Sequence, residues 1–229
     1  MQELRNPAVY NAIIKAIAGG ASKPNEIAVK AGEEGKKVSK YLTTLINLHL
    51  VKKEMPVIGG RERSSIYRLR DNMFRFWYRF VIDNNMNIES GMFDYVYDEK
   101  IQPYLSEYVG YIFEDICVQY MMRQNKERKL PVVFDSIGRW WGNNPIEKRH
   151  EEVDLIAVAG KTAIFGECKW KKSTSTDVLN ELKRKAGMFK QFSEKYYYIF
   201  TKGQFSDSLK DIEIEDKNVR LITLNDIYR

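Results

Sequence analysis

Cysteine is scarce in this 229-residue chain, which holds only Cys117 and Cys168. Two thiols are too few for a disulfide framework or a zinc site, and they read as reduced thiols of a cytoplasmic protein. Long apolar runs are missing as well: no stretch approaches the roughly 18 residues of a membrane span. The opening residues, Met1-Gln2-Glu3-Leu4-Arg5, lack the apolar core of a signal peptide. The expectation is a cytoplasmic protein without membrane attachment. What remains is ordinary globular material, 44% hydrophobic and 30% charged, enough for one large domain or two small ones.

Charge is unevenly placed. The chain carries a net +6, and residues 1–70 hold thirteen Lys/Arg against six Asp/Glu; their balance of +7 leaves −1 for the rest. A basic excess in one segment suggests a polyanion partner, DNA foremost. A solvated charged face is the alternative.

The first 70 residues read as three helices and a hairpin. Asn6-Pro7 is a helix start, with Asn6 as cap. Val9, Ile13, Ile14 and Ile17 follow at helical spacing, and Gly19-Gly20 ends the run. Ser22 would cap a short second helix that closes at Gly32. A third begins near Lys36 with Val38, Tyr41, Leu42, Leu45 and Ile46 on one face. Lys36, Lys37, Lys40, Thr43 and Thr44 lie on the other. Leu50–Val57 and Ser65–Leu69 then flank a Gly-rich basic loop, a hairpin signal. This order resembles a winged helix-turn-helix. The resemblance implies that the third helix enters a DNA groove and that the loop, with Arg61 and Arg63, touches phosphate. Contact with a protein, or packing alone, is the alternative.

Residues 71–100 are read as an aromatic helical bridge. Phe74, Trp77, Tyr78 and Val81 share one face and Phe76 and Phe80 another, so burial on more than one side is expected. Residues 101–229 read as an α-β-β-β-α-β series with a final strand: a long helix from Pro103, strands near 131–141, 151–159 and 162–170, a helix from Thr176, and strands at 196–201 and 218–224. The fold class expected is thus α+β or α/β with a mixed sheet.

The hairpin at 151–170 carries the chemistry. With Gly160-Lys161 as a type II′ turn, facing positions sum to 321. Asp154 would then oppose Glu167, and Glu152 would oppose Lys169, all on one face. Two close carboxylates call for a cation, and a hard one such as Mg²⁺ or Mn²⁺ suits oxygen ligands. A lysine beside them can neutralise charge on a phosphate. Gly166 would leave room beside the site. A charged sheet face without a metal is the plainer alternative.

Asp154, then Glu167-Cys168-Lys169, resembles the D-x(n)-(D/E)-x-K signature of the PD-(D/E)XK nuclease superfamily, whose restriction-endonuclease-like core has the same αβββαβ order. The resemblance implies that Asp154 and Glu167 bind metal and that Lys169 is the catalytic lysine. It also implies a further acidic ligand, Glu114, on the preceding helix, although the adjacent Asp115 competes for that position. Ile137–Trp141, Glu152–Ala157 and Phe165–Trp170 are similar to the C-terminal region of archaeal-type AAA+ ATPases, which joins a winged helix to a nuclease-like domain. That likeness implies an ATPase module as partner, in the same chain or another. No phosphate-binding G-x-x-x-x-G-K-[ST] is present. Ala159-Gly160-Lys161-Thr162 imitates its end, but position 155 is Leu, so no ATP hydrolysis is expected here. The resulting expectation is a Mg²⁺-dependent nuclease or nuclease-like region; the alternative is a non-catalytic DNA- or protein-binding regulatory region of an ATPase. The domain limits expected are 1–70, 71–100 and 101–229.

Overall fold

The computed structural model describes residues 6–145 and 147–228. The chain divides into two compact units. One comprises residues through Met55 with Arg61–Tyr104, the other Pro56–Gly60 with Leu105–Arg229.

The first unit contains α1 (Pro7–Ala18), α2 (Pro24–Ala31) and α3 (Gly35–Asn47), then β1 (Val51–Glu54) and β2 (Ile66–Leu69). The strands are antiparallel, with Val51 opposite Leu69. Apolar residues one helical turn apart meet in one core: Ile13, Ile27, Val38, Leu42 and Leu45 are all buried there with Leu69. Burying each such side chain contributes about 1.5–3 kcal/mol.

Two helix starts differ from expectation. Asn6 takes φ 64° and makes no side-chain cap; its amide donates instead to the Tyr41 hydroxyl at 3.3 Å. At α2 the Glu26 carboxylate accepts the backbone N–H groups of both Ser22 and Lys23 at 3.1 Å. A carboxylate in the first turn answers two free N–H groups and the positive end of the helix dipole, which a serine hydroxyl does less well.

The aromatic segment was expected as a separate bridge over 71–100, but it folds with the first unit. There α4 (Asn72–Phe76) runs into a π-helical turn at Trp77–Val81, followed by α5 (Asn85–Glu89) and α6 (Phe93–Val96). Phe74 and Tyr78 pack on the core of the three helices, whereas Trp77 stays 42% exposed.

The second unit is built on a five-stranded mixed sheet. Its elements are α7 (Gln102–Lys126), β3 (Ser136–Asn144), β4 (Arg149–Ala159), β5 (Thr162–Lys169), β6 (Ser173–Thr174), α8 (Thr176–Ala186), β7 (Glu194–Thr201), β8 (Gln204–Phe205), α9 (Asp207–Glu215), β9 (Val219–Thr223) and α10 (Leu224–Ile227). Strand order is β3-β4-β5-β7-β9, with β6 and β8 forming a separate short pair. The first three strands are antiparallel, and β5, β7 and β9 are parallel. The main elements keep the expected αβββαβ order. Phe165, Ile199, Leu179, Leu182 and Leu209 share the core formed with α8 and α9. Leu155, Ile164, Phe200 and Phe113 share the core formed with α7. No helix among the described residues is long and apolar enough to cross a membrane.

Two local differences have physical causes. The strand expected at 131–141 starts at Ser136 and continues through the polar residues to Asn144, because pairing with β4 satisfies its backbone whatever the side chains are. Helix α9 was not expected. Its Ile212-Glu213-Ile214-Glu215 alternation imitates a strand, but Ser206 caps it and Leu209 anchors it in the core.

Candidate functional site

The hairpin turn is as expected: Gly160 has φ 58°, and the facing positions run from Ala159–Thr162 to Leu155–Gly166, each pair summing to 321. The ladder stops there. Against β3, the pairs Gly138–Ile156 and Trp140–Val153 leave Asp154 and Leu155 together opposite Arg139. Two residues facing one is a β-bulge, which re-aims side chains and is favoured beside functional sites.

The bulge corrects the expected pairing. Glu152 does not face Lys169; it lies opposite Trp141 on β3, and its side chain is 74% exposed beside His150. Upstream of the bulge the alternation is shifted, so Glu151 is the buried glutamate. Nor does Gly166 leave a space. A Cβ there would come within 3.1 Å of Leu155 and 3.4 Å of Phe200. The glycine lets those two side chains close over the strand.

Asp154 and Glu167 nevertheless come together. The Asp154 carboxylate accepts the Cys168 N–H at 2.8 Å. Its pKa is pushed up to about 7, first by burial and then by the charges of Glu167 and Glu114, which the Cys168 N–H and Lys169 only partly offset. Lys169 donates to Glu167 Oε1 at 2.6 Å. Burial alone would lower its pKa, but Glu167 and Asp154 outweigh that and hold it above the ordinary lysine value. From α8, Lys185 reaches Glu167 Oε2 at 3.4 Å.

Glu114 lies on α7, close enough to raise Asp154 but held by another partner. Arg139 Nε donates to Glu114 Oε2 at 2.7 Å, and its Nη2 donates to Asp115 Oδ1 at 3.0 Å. One arginine opposite the bulge therefore ties down both acids of the helix. Behind the site, burial and the neighbouring Cys117 push the Cys168 thiol well above its ordinary pKa, which keeps it protonated and unreactive.

The donor set bears on a metal ion. Two carboxylates brought this close are relieved by a hard divalent cation, so Asp154 and Glu167 fit one. Glu114 does not join them closely: among the described residues, no three Asp, Glu, His or Cys side chains form a group able to hold a metal.

Four participants escaped sequence reasoning. Arg139 sits between Gly138 and Trp140, where a charge inside a strand hints at a buried partner. Lys185 lies beside the buried Leu182 and Ala186 of α8, a position from which a lysine reaches the sheet. Glu151 and Arg184 form the centre of a second ionic cluster. Arg184 bonds Glu151 at 2.7 Å, Glu147 at 2.5 Å and Glu181 at 2.6 Å, and Arg149 bonds Glu151 at 2.7 Å.

The residues expected at DNA lie in the first unit. Lys36, Lys37, Lys40 and Thr43 are exposed on α3, and Arg61 and Arg63 are exposed around the turn at Glu62–Ser64. Thr44 is half-buried. The hydroxyls of Thr43 and Thr44 donate to the carbonyls of Ser39 and Lys40, at 3.0 and 3.3 Å. In the second unit, the Val57 N–H donates to the Arg139 carbonyl at 3.0 Å.

The class is therefore an α+β protein with a mixed sheet and an acid–lysine cluster at a bulge. Residues 77–184 match the DUF234 family, described as archaeal and bacterial proteins of unknown function. The chain is 33% identical over 207 residues to the uncharacterized protein MJECL04 of Methanocaldococcus jannaschii, an alignment covering 87% of this chain and 45% of that relative. It thus spans about half the length of the curated relative it matches. Among solved structures, protein VC1899 from Vibrio cholerae aligns over 98% of this chain and 55% of its own, at 11% identity and a TM-score of 0.38.

Proposed function

We propose that the second unit is a metal-dependent phosphodiester hydrolase of nuclease type, and that the first unit brings DNA to it. The observation that carries the reading is the meeting of Asp154, Glu167 and Lys169 at the β4 bulge, with Lys169 2.6 Å from Glu167. In this reading Asp154 and Glu167 hold Mg²⁺ or Mn²⁺, which would supply Lewis acidity to a phosphate. The Lys169 ammonium, kept charged by its acidic neighbours, neutralises charge that builds on the phosphate oxygens. Arg139 positions the α7 acids, and Glu114 comes into play only if it exchanges that arginine for the cation. The basic face of α3 with Arg61 and Arg63 supplies the DNA contact. An AAA+ ATPase module is the proposed companion. Over half of the M. jannaschii relative lies outside the matched region, which leaves length for one.

A second reading has its own support. Glu167 is already bonded to two lysines and Glu114 to an arginine. A cluster so satisfied can be structural, in a non-catalytic DNA- or protein-binding regulatory region.

The test is cleavage of linear, nicked and single-stranded DNA with Mg²⁺ or Mn²⁺. Asp154→Ala, Glu167→Ala and Lys169→Ala are each expected to abolish cutting while the protein stays folded. Equal behaviour of the wild type and all three variants removes the hydrolase reading in favour of the regulatory one.

A further inference from the structure

The second unit carries another charged feature, at the C-terminal end of α7. A cleft of about 270 Å³ is lined by Arg128, Lys129, Leu130, Pro131, Tyr196, Tyr198, Lys217 and Arg220. It opens between the end of α7 and the strands β7 and β9. Lys126, the last residue of α7, lies 12 residues beyond Glu114, about 18 Å along the helix axis. Four cations line this one cleft, although residues 71–229 sum to −1.

Their partners leave the charge mostly unanswered. Lys129 pairs with Glu127 at 2.8 Å, and one Arg220 nitrogen donates to the Val219 carbonyl at 2.7 Å. Among the described residues, Arg128 and Lys217 pair with no carboxylate. The nearby acid Glu194 is taken up by the hydroxyls of Tyr196 and Thr162, at 2.8 and 3.0 Å.

Arg128 adds a second observation. Its φ is 54°, and its N–H and that of Lys129 return to the carbonyls of Asn125 and Gln124. This is the left-handed cap of a helix end, a position that favours glycine. A side chain kept at such a backbone points to a use for that side chain.

We propose that this cleft binds a nucleoside phosphate. The guanidinium groups of Arg128 and Arg220 and the ammonium of Lys217 take the phosphate, and the Tyr196 ring takes the base. The Tyr198 phenol, pushed up to about 12 by burial, adds no negative charge. The phosphate can belong to a free nucleotide or to a single strand. A strand stacked as in a duplex, at 3.4 Å per nucleotide, covers about 18 Å in roughly five nucleotides, and an extended one in fewer, so a hexanucleotide is long enough to run from the cleft to the neighbourhood of Glu114.

Calorimetric titration of the full chain without divalent cation tests this, using adenosine 5′-monophosphate, adenosine, inorganic phosphate and a 5′-phosphorylated hexanucleotide. The monophosphate is expected to bind at least tenfold more tightly than adenosine or inorganic phosphate. Lys217→Glu and Arg220→Glu should each weaken it about tenfold or more, the loss of one charge-assisted hydrogen bond. Arg128→Gly should weaken binding similarly while raising the melting temperature, whereas Lys210→Glu on α9 should leave binding alone. A hexanucleotide that binds more tightly than the monophosphate, and is sensitive to the same variants, assigns the cleft to a strand; equal binding assigns it to a free nucleotide. No binding, equal binding of inorganic phosphate, or binding indifferent to all three cleft variants overturns the proposal. Asp154→Asn is expected to leave the cleft's binding unchanged. A failure to cut DNA therefore bears on the hydrolase reading alone.

Discussion

Asp154 and Glu151 stand three residues apart on the same strand and titrate in opposite directions. Burial pushes both up. At Asp154 the acids Glu167 and Glu114 add to that push, and the carboxyl reaches about 7. At Glu151 hydrogen bonds from Arg184 and Arg149 outweigh it, and the carboxyl falls below its ordinary value. The difference lies in the partners. One acid has been given arginines and is finished as a structural ion pair. The other has been given more acids and is left wanting a positive charge.

The largest effect is expected at Asp154. A folded-state pKa raised from 3.8 to about 7 means that the folded chain holds a proton the unfolded chain has lost. Stability should therefore fall as pH rises from about 4 to about 7 and level off above. The full loss is up to about 4 kcal/mol, about three pH units at 1.36 kcal/mol each. Urea unfolding of Asp154→Asn in metal-free buffer should show that slope removed and the protein more stable at pH 8. An unchanged slope would mean that the two acids do not differ in this way.

Next comes Arg184→Ala, which strips Glu151 of one arginine and should cost about 2 kcal/mol at pH 7. Its pH signature is opposite. The stability that the arginines give Glu151 is present above pH 4.5, the ordinary value, and is lost as pH falls through the depressed folded value. In the variant, acid unfolding should begin at higher pH. The smallest effect belongs to Glu152→Ala, expected within 0.5 kcal/mol of the wild type. A larger loss would place Glu152, not Glu151, inside.

The hairpin was legible because its signals are local. A glycine at the turn and alternating apolar residues on both strands set the register. The helices of the first unit were legible for the same reason, apart from their caps, where Glu26 does the work expected of Ser22. The bulge was not legible. Glu151 and Glu152 are identical in type, and only the pairing with β3 decides which one turns inward. Nor was the capture of Glu114, since Arg139 lies 25 positions away and comes into reach only when α7 packs on the sheet. Asp154, Glu167 and Lys169 could be named in advance because strand spacing brings them together. Their ties to Lys185 and Arg139 come from tertiary packing, on which spacing is silent.

The β4 bulge also sets a rule for length. It divides the strand into two halves of opposite phase, with the acid cluster at the seam. Taking out one residue at the seam would restore a single phase and turn the upstream half over, sending Glu152 toward the core and Glu151 into water. Taking out two would keep the phase but draw the loop before β4 into the sheet. Insertions and deletions here are thus counted modulo two, and the seam tolerates a change of residue better than a change in their number.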